Sequence, residues 1–253
     1  MENQGDDLAV LQAALVGLTP SQLGWVRGVI LQFKLPHEFK RDPASDFVTE
    51  AVLERLGDAL RIHHAFSRQA LSKDRFEFAL ERALNLSGIK AKLVRSRTNR
   101  GHDITVTGVP ISLKTEAAAN IREDTIHVSK WMELGRGEWI LERLRDLFLE
   151  HMRSYDRIFT LRCLAAGPKV YRYELVEIPK ALMQEAANCE FQIMNNSSQT
   201  PKPGYGYVRN ETGELKFALY FDGGTERKLQ IRSLRKSLCR VHATWAFESA
   251  PLE

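Results

Sequence analysis

Cysteine is scarce. The 253 residues hold three, Cys163, Cys189 and Cys239, odd in number and far apart. That excludes a disulfide framework and a paired-cysteine zinc site, and it fits reduced, structural thiols. No run of eighteen apolar residues occurs, so no transmembrane helix is expected. There is no His-x-x-x-His pair and no glycine-rich phosphate loop. Gly135-Arg136-Gly137 is too short for one and reads as a break before a helix. His63 and His64 are adjacent and do not face one ligand together on a helix, and no role is assigned to His127. The start, MENQGDD, is acidic and lacks the basic segment of a secretory signal. These absences lead to the expectation of a cytoplasmic protein with neither zinc nor nucleotide-loop chemistry.

Strong net charge is also missing, at +4, but its distribution is uneven. From Asn196 to Phe247 there are nine Lys or Arg against four Asp or Glu. Lys90 to Arg100 adds five basic residues and no acid. Local excesses of this kind suit phosphate neutralisation along DNA, although an ordinary solvated face has the same composition.

At this length the chain is long enough to bury a sizeable core. Asp7 to Leu35 and Asp46 to Arg61 read as amphipathic helices, the first broken by the Thr-Pro-Ser start signal around Pro20. Then follow a helix over Leu71–Ser87, a hairpin, a strand over Thr125–Val128, a helix over Gly137–Met152 and a strand over Arg157–Cys163. A strand over Lys169–Glu177 and a helix over Pro179–Ala187 come next. After the turn-rich NNSSQTPKPGYG, short strands are expected at Tyr205–Val208, Leu215–Phe221 and Lys228–Leu234. The expected class is α/β: a mixed central sheet flanked by helices, with an N-terminal helical region (1–70), a core (71–194) and a β-rich C-terminal lobe (195–253). The last boundary is soft, and one continuous domain is the alternative.

The chemistry concentrates in the hairpin. Ile104-Thr105-Val106 and Val109-Pro110-Ile111 are β-rich segments joined by Thr107-Gly108. If Val106 faces Val109, Asp103 faces Ser112. Alternation then puts Ser112, Lys114 and Glu116 on the face of Asp103, with Lys114 its diagonal neighbour. An aspartate and a lysine converging from two strands provide most of the metal-dependent nuclease site called PD-(D/E)xK. A solvent-facing hairpin with one ion pair is the plain alternative, since so short a motif recurs by chance. His102, beside Asp103, is a further candidate, more commonly a hydrogen-bonding neighbour.

The acid that the motif expects two residues before the lysine is Ser112, a poor ligand for a hard cation. Glu77 lies one turn into the helix expected to start after an N-cap at Ser72 and to end at Gly88. It is the candidate replacement carboxylate. Glu116 is the rival, with Glu123 and Asp124 farther along.

The stretches SRTNRGHDITV, LKTEAA, HVSKWMELGRGEWILE, RIFTLR, LVEIPK, PKPGYGYV and YFDGGTERKLQI resemble those of SmaI-like Type II restriction endonucleases, from about Arg61 to Trp245. The resemblance implies a PD-(D/E)xK restriction-endonuclease-like core, dependence on Mg2+, and cleavage of double-stranded DNA at the centre of the palindrome CCCGGG. Blunt ends bearing a 5′-phosphate and a 3′-hydroxyl would result. Asp103, Glu77 and the Leu113 carbonyl would then hold the metal, with Lys114 catalytic. A two-fold target calls for a homodimer. A cognate DNA methyltransferase would share the target without having to bind the enzyme. The expected DNA contacts are Arg97, Arg100, Lys130, Lys202, Arg227, Lys228 and Arg232, the last three following the Asp222-Gly223-Gly224 turn. Arginine forks suit guanine edges. The competing readings are a repair or recombination nuclease with structural specificity, and a DNA-binding protein whose nuclease site has decayed at Ser112.

Overall fold

The computed structural model describes residues 3–94, 101–118, 121–164 and 169–249. Helices α1 (Asn3–Leu15) and α2 (Pro20–Lys34) separate where the sequence sets a start signal. Thr19 and Gln22 form a reciprocal capping box with Pro20 at the first helical position. Strand β1 (His37–Arg41) follows, then α3 (Glu50–Phe66) and α4 (Lys73–Leu86). The start of α3 lies beyond the expected Asp46, because Ser45 Oγ accepts from the Phe47 and Val48 N–H groups and holds a turn there. Thr49 Oγ1 then caps the helix through Val52 N. Helix α4 starts after Ser72, and Gly88, at φ +77°, follows its end in the left-handed region.

Strands β2 (Ala91–Leu93), β3 (Ile104–Val106), β4 (Val109–Glu116) and β5 (Thr125–Glu133) come next. Helix α5 (Leu141–His151), β6 (Arg157–Cys163), β7 (Val170–Glu177) and the short α6 (Lys180–Gln184) continue the chain. The last five strands are β8 (Glu190–Ile193), β9 (Gly204–Arg209), β10 (Leu215–Asp222), β11 (Lys228–Arg235) and β12 (Arg240–Glu248).

The strands form two sheets. The first has seven, in the order β1-β12-β7-β6-β4-β3-β2, and the second has five, in the order β5-β11-β10-β9-β8. Only the β4–β6 pairing is parallel, so the first sheet is mixed and the class is α/β. The chain crosses between the sheets. β5 precedes α5 in sequence yet pairs with β11, and β12 returns to the first sheet between β1 and β7.

Two cores follow from this layering. Helices α3 and α4 lay Val52, Leu56, Leu60, Phe76, Leu80 and Leu84 on one face of the first sheet, against Ile104, Leu113, Phe159 and Trp245. Phe76, Leu80 and Leu84 recur at helical spacing and are fully buried, each contributing roughly 1.5–3 kcal/mol through removal from water. The second core joins Ile158 and Val176 of the first sheet to Phe148 of α5 and to Phe217, Leu219, Phe221, Leu229 and Ile231 of the second. Between α2 and α3, Arg61 is buried and donates to the Gln32 and Leu35 carbonyls at 2.8 and 3.2 Å, satisfying acceptors left open at a helix end.

The hairpin has the expected register, with Val106 opposite Val109, Thr105 opposite Pro110 and Ile104 opposite Ile111. Thr107 and Gly108 take φ values of +48° and +90°, as a two-residue turn of matching twist requires. Pro110 belongs to an interior strand but sits at a non-bonded position. The missing N–H is tolerated because pairing with β6 begins one residue later, at Ile111–Arg157.

Candidate active site

Asp103 sits where β3 begins. Its backbone N–H donates to the Ile111 carbonyl at 2.9 Å, which extends the hairpin by one residue. Its Oδ2 accepts from Leu113 N at 2.6 Å and from Ser112 Oγ at 3.2 Å. Ser112, almost fully buried, thus orients the aspartate. Oδ1 is left for a cation, and Lys73 Nζ lies 2.7 Å from it. The same ammonium is 3.2 Å from Glu77 Oε1, one turn farther along α4. One positive charge therefore bridges the two carboxylates that the sequence reading paired. Burial pushes the Asp103 carboxyl up, but Lys114, Lys73 and the Leu113 N–H outweigh it and the net shift is downward. Glu77 moves the other way, because burial and its neighbour Asp103 outweigh the pull of Lys73.

Lys114 projects from β4 on the face opposite Leu113. It is buried, donates to the Trp131 carbonyl at 3.3 Å, and lies 5.5 Å from the centre of that indole ring. Burial lowers its pKa to about 8, against the attraction of Asp103 and with the repulsion of Lys73. A cleft of about 470 Å³ joins Lys73, His102, Asp103, Lys114, Lys130 and His151. His151 ends α5, and burial, reinforced by Lys114, lowers its pKa to about 4, so it faces the cleft as a neutral imidazole. His102 Nε2 is 3.0 Å from Thr105 Oγ1, the hydrogen-bonding neighbour of the alternative reading.

The rivals of Glu77 are engaged elsewhere. Glu116 follows Lys114 by two residues, but its carboxylate meets Arg162 at 2.5 Å and accepts from His127 N at 3.0 Å. Register explains this: Glu116 on β4, Arg162 on β6 and Glu174 on β7 stand side by side across three strands. Glu123 pairs with Arg172, and Asp124 is exposed just before β5, outside the residues that line the cleft. Among the described residues, one further group has metal-ligand geometry: Asp46, Glu177 and His242, with ligand atoms within 4.8 Å of one another. Both of its carboxylates are already held by Arg157, at 3.0 and 2.7 Å. A cation entering there would have to displace a guanidinium that stacks on Phe159.

The expected DNA contacts divide. Arg97 and Arg100 lie outside the described residues. Lys130 lines the cleft, tied to Glu133 at 2.8 Å and near Glu226 at 3.7 Å. Lys228 is paired with Glu226, and Lys202 donates to the Ser197 carbonyl. Arg232 lies 3.6 Å from the centre of the Tyr220 ring and donates to Tyr205 Oη and Gln230 Oε1, so its fork is largely taken. Arg227 differs. It shares a second cavity with Arg136 and the Gly223-Gly224 turn, and neither arginine has a carboxylate partner among the described residues. Gly223 is required there, because a Cβ would stand 2.0 Å from the Pro201 carbonyl oxygen.

Sequence reasoning missed Lys73, His151 and Arg136. Only Lys73 left a signal: a lysine at the first position of a helix, four residues before a glutamate.

The SmaI family model, described as a Type II site-specific deoxyribonuclease, matches residues 11–247. The chain is 52% identical over 208 residues to the Type II restriction enzyme SmaI of Serratia marcescens, covering 82% of this chain and 84% of that protein. No solved structure gives a significant match. No helix among the described residues is long and apolar enough to cross a membrane. A match across nearly the whole chain carries more weight than a three-residue motif on one hairpin, and by it this protein belongs to the SmaI family of Type II site-specific deoxyribonucleases.

Proposed function

We propose that this restriction endonuclease cuts double-stranded DNA at CCCGGG, leaving blunt ends, through a Mg2+ site built on Asp103 and Glu77 with Lys114 as the catalytic cation. The observation that carries the reading is the convergence of Asp103 and Glu77, from different elements, on one positive charge, 2.7 and 3.2 Å from Lys73 Nζ, in a cleft that also holds Lys114. Carboxylate oxygens are what a hard cation requires. The N–H and C=O of a strand residue leave from the same edge. The Leu113 N–H already reaches Asp103, so its carbonyl is the third ligand in this reading. In this reading helix α4, the β3–β4 hairpin and the parallel neighbour β6 serve as the PD-(D/E)xK core.

A divalent cation bound there supplies a water of lowered pKa and positive charge beside the scissile phosphate. Asp103 is held in position for it by Ser112 and the Leu113 N–H. Lys114 orients the attacking water and stabilises negative charge developing on the phosphate. Its burial strengthens that interaction, because little water screens it. Of the lobe expected over 195–253, β12 belongs to the first sheet, so in this reading residues 195–239, with β5, read the DNA, and Arg227 is the base-reading candidate because its guanidinium carries no carboxylate partner among the described residues. The palindrome is read by a homodimer. A methyltransferase protecting the same sequence need not touch this chain. Incubating plasmid DNA with the protein and Mg2+, then sequencing the ends, tests the reading. Blunt ends at the centre of CCCGGG are expected; discrete ends at another sequence would refute the target, and random degradation would refute site-specific reading by this lobe.

A further inference from the structure

Lys73 is the first residue of α4. That end of a helix carries partial positive charge and disfavours a cation, so helix stability does not account for the lysine. Its side chain is 40% exposed and lines the cleft, while its Nζ reaches Asp103 Oδ1 at 2.7 Å and Glu77 Oε1 at 3.2 Å. Two carboxylates this close repel, and the ammonium offsets that repulsion. Two other carboxylate pairs beside the first sheet are held differently: Glu116 and Glu174 by Arg162, with Lys236 also on Glu174, and Asp46 and Glu177 by Arg157. An arginine fork is planar and bonds at several points, whereas a lysine is a point charge on a flexible stem that can swing away.

We propose that Lys73 is a resident counter-cation of the metal site, holding Asp103 and Glu77 together in the metal-free enzyme and giving way when a divalent cation enters. The proposal rests on the reading of Asp103 and Glu77 as metal ligands. Lys73 and the metal compete for the same oxygens. A divalent cation held by both carboxylates would draw on the oxygens that the ammonium now occupies, and two positive charges there would repel. Lys73 therefore weakens metal affinity while keeping the ligands in place, a positioning role exerted through Asp103 and Glu77.

Calorimetric titration of Ca2+ into the DNA-free full chain tests this without relying on turnover. Lys73→Gln is expected to bind Ca2+ about tenfold more tightly than the parent, the scale of one charge-assisted hydrogen bond that no longer has to be broken. Lys73→Arg keeps the charge and is expected to bind no more tightly than the parent. Unchanged or weaker binding by Lys73→Gln overturns the proposal. In that event Asp103→Asn identifies what failed: if it still abolishes Ca2+ binding, the metal-site reading stands and the role of Lys73 alone falls. If Asp103→Asn and Glu77→Gln both bind Ca2+ like the parent, the metal-site reading falls and takes the proposal with it. Should Lys73→Gln be too unstable to titrate without metal, the rise in its melting temperature on adding Ca2+ gives the same comparison. A larger rise than in the parent supports competition, and an equal or smaller one overturns it.

Discussion

Two carboxylate clusters meet at the first sheet and handle positive charge in opposite ways. Asp103 and Glu77 share Lys73, and all three side chains keep partial solvent access, at 20%, 20% and 40% exposure. Glu116 and Glu174 share Arg162, which is fully buried and also donates to the Arg122 and Thr125 carbonyls. The first cluster can exchange its cation. The second cannot, because removing the guanidinium would leave buried Glu116 without its counter-charge, Glu174 with Lys236 alone, and two carbonyls open. Glu77 and Glu116 are both glutamates placed near the same motif. The partner each finds, rather than its residue type, separates a metal-ligand candidate from a structural strut.

The sharpest way to break this comparison is at the lysine between the clusters. Lys114→Ala is expected to slow single-turnover cleavage by on the order of a hundredfold or more while leaving cognate DNA binding largely intact. Cleavage at the parent rate would remove Lys114 from the chemistry.

The glutamates come next. Glu116→Ala leaves Arg162 with one carboxylate instead of two and is expected to cost about 3 kcal/mol in denaturant unfolding. Glu77→Ala is expected to change stability little but to shift the Mg2+ dependence of cleavage to higher concentration or abolish it. If a Mg2+ titration finds Glu116→Ala the more damaging to metal use, the assignment to α4 is wrong.

Arginine availability extends the contrast to the second sheet. Arg227→Ala should weaken cognate binding by about 1–3 kcal/mol per lost bidentate contact and random DNA much less. Arg232→Ala should instead disturb the packing of Tyr205 and Tyr220. Equal losses by Arg227→Ala on both DNAs, with a reduced salt slope, would make Arg227 a phosphate clamp.

The last effect is on pH and acts on stability rather than on DNA. Burial lowers the Lys114 pKa from 10.5 to about 8 in the folded, metal-free protein. Between those values the unfolded chain binds a proton that the folded one has released. This group therefore makes stability rise with pH across that window. Lys114→Met should remove the rise, which unfolding midpoints from pH 7.5 to 10 would detect. An unchanged profile in Lys114→Met would place the origin of any such rise elsewhere.

Local signals were legible in the chain. The Thr107-Gly108 turn and the alternation around it fixed the hairpin register, and Ser72 and Gly88 bounded α4. Four strands, β1, β2, β8 and β12, left no reading. Three of them are short, and β12 carries a register shift between Val241 and Ala243 that breaks its alternation.

By itself, the sequence determined which residues face together within a turn or two of chain, because periodicity and turn chemistry act between near neighbours. It also determined family membership, through long matching stretches. Only the tertiary structure decided which charges meet. Lys73 finds Asp103 across thirty residues because α4 packs its Phe76, Leu80 and Leu84 onto the sheet beside β3. Glu116 meets Arg162 because β6 runs parallel to β4 and brings that arginine level with it. Pairings at such separation depend on how whole elements pack, and no local pattern encodes that.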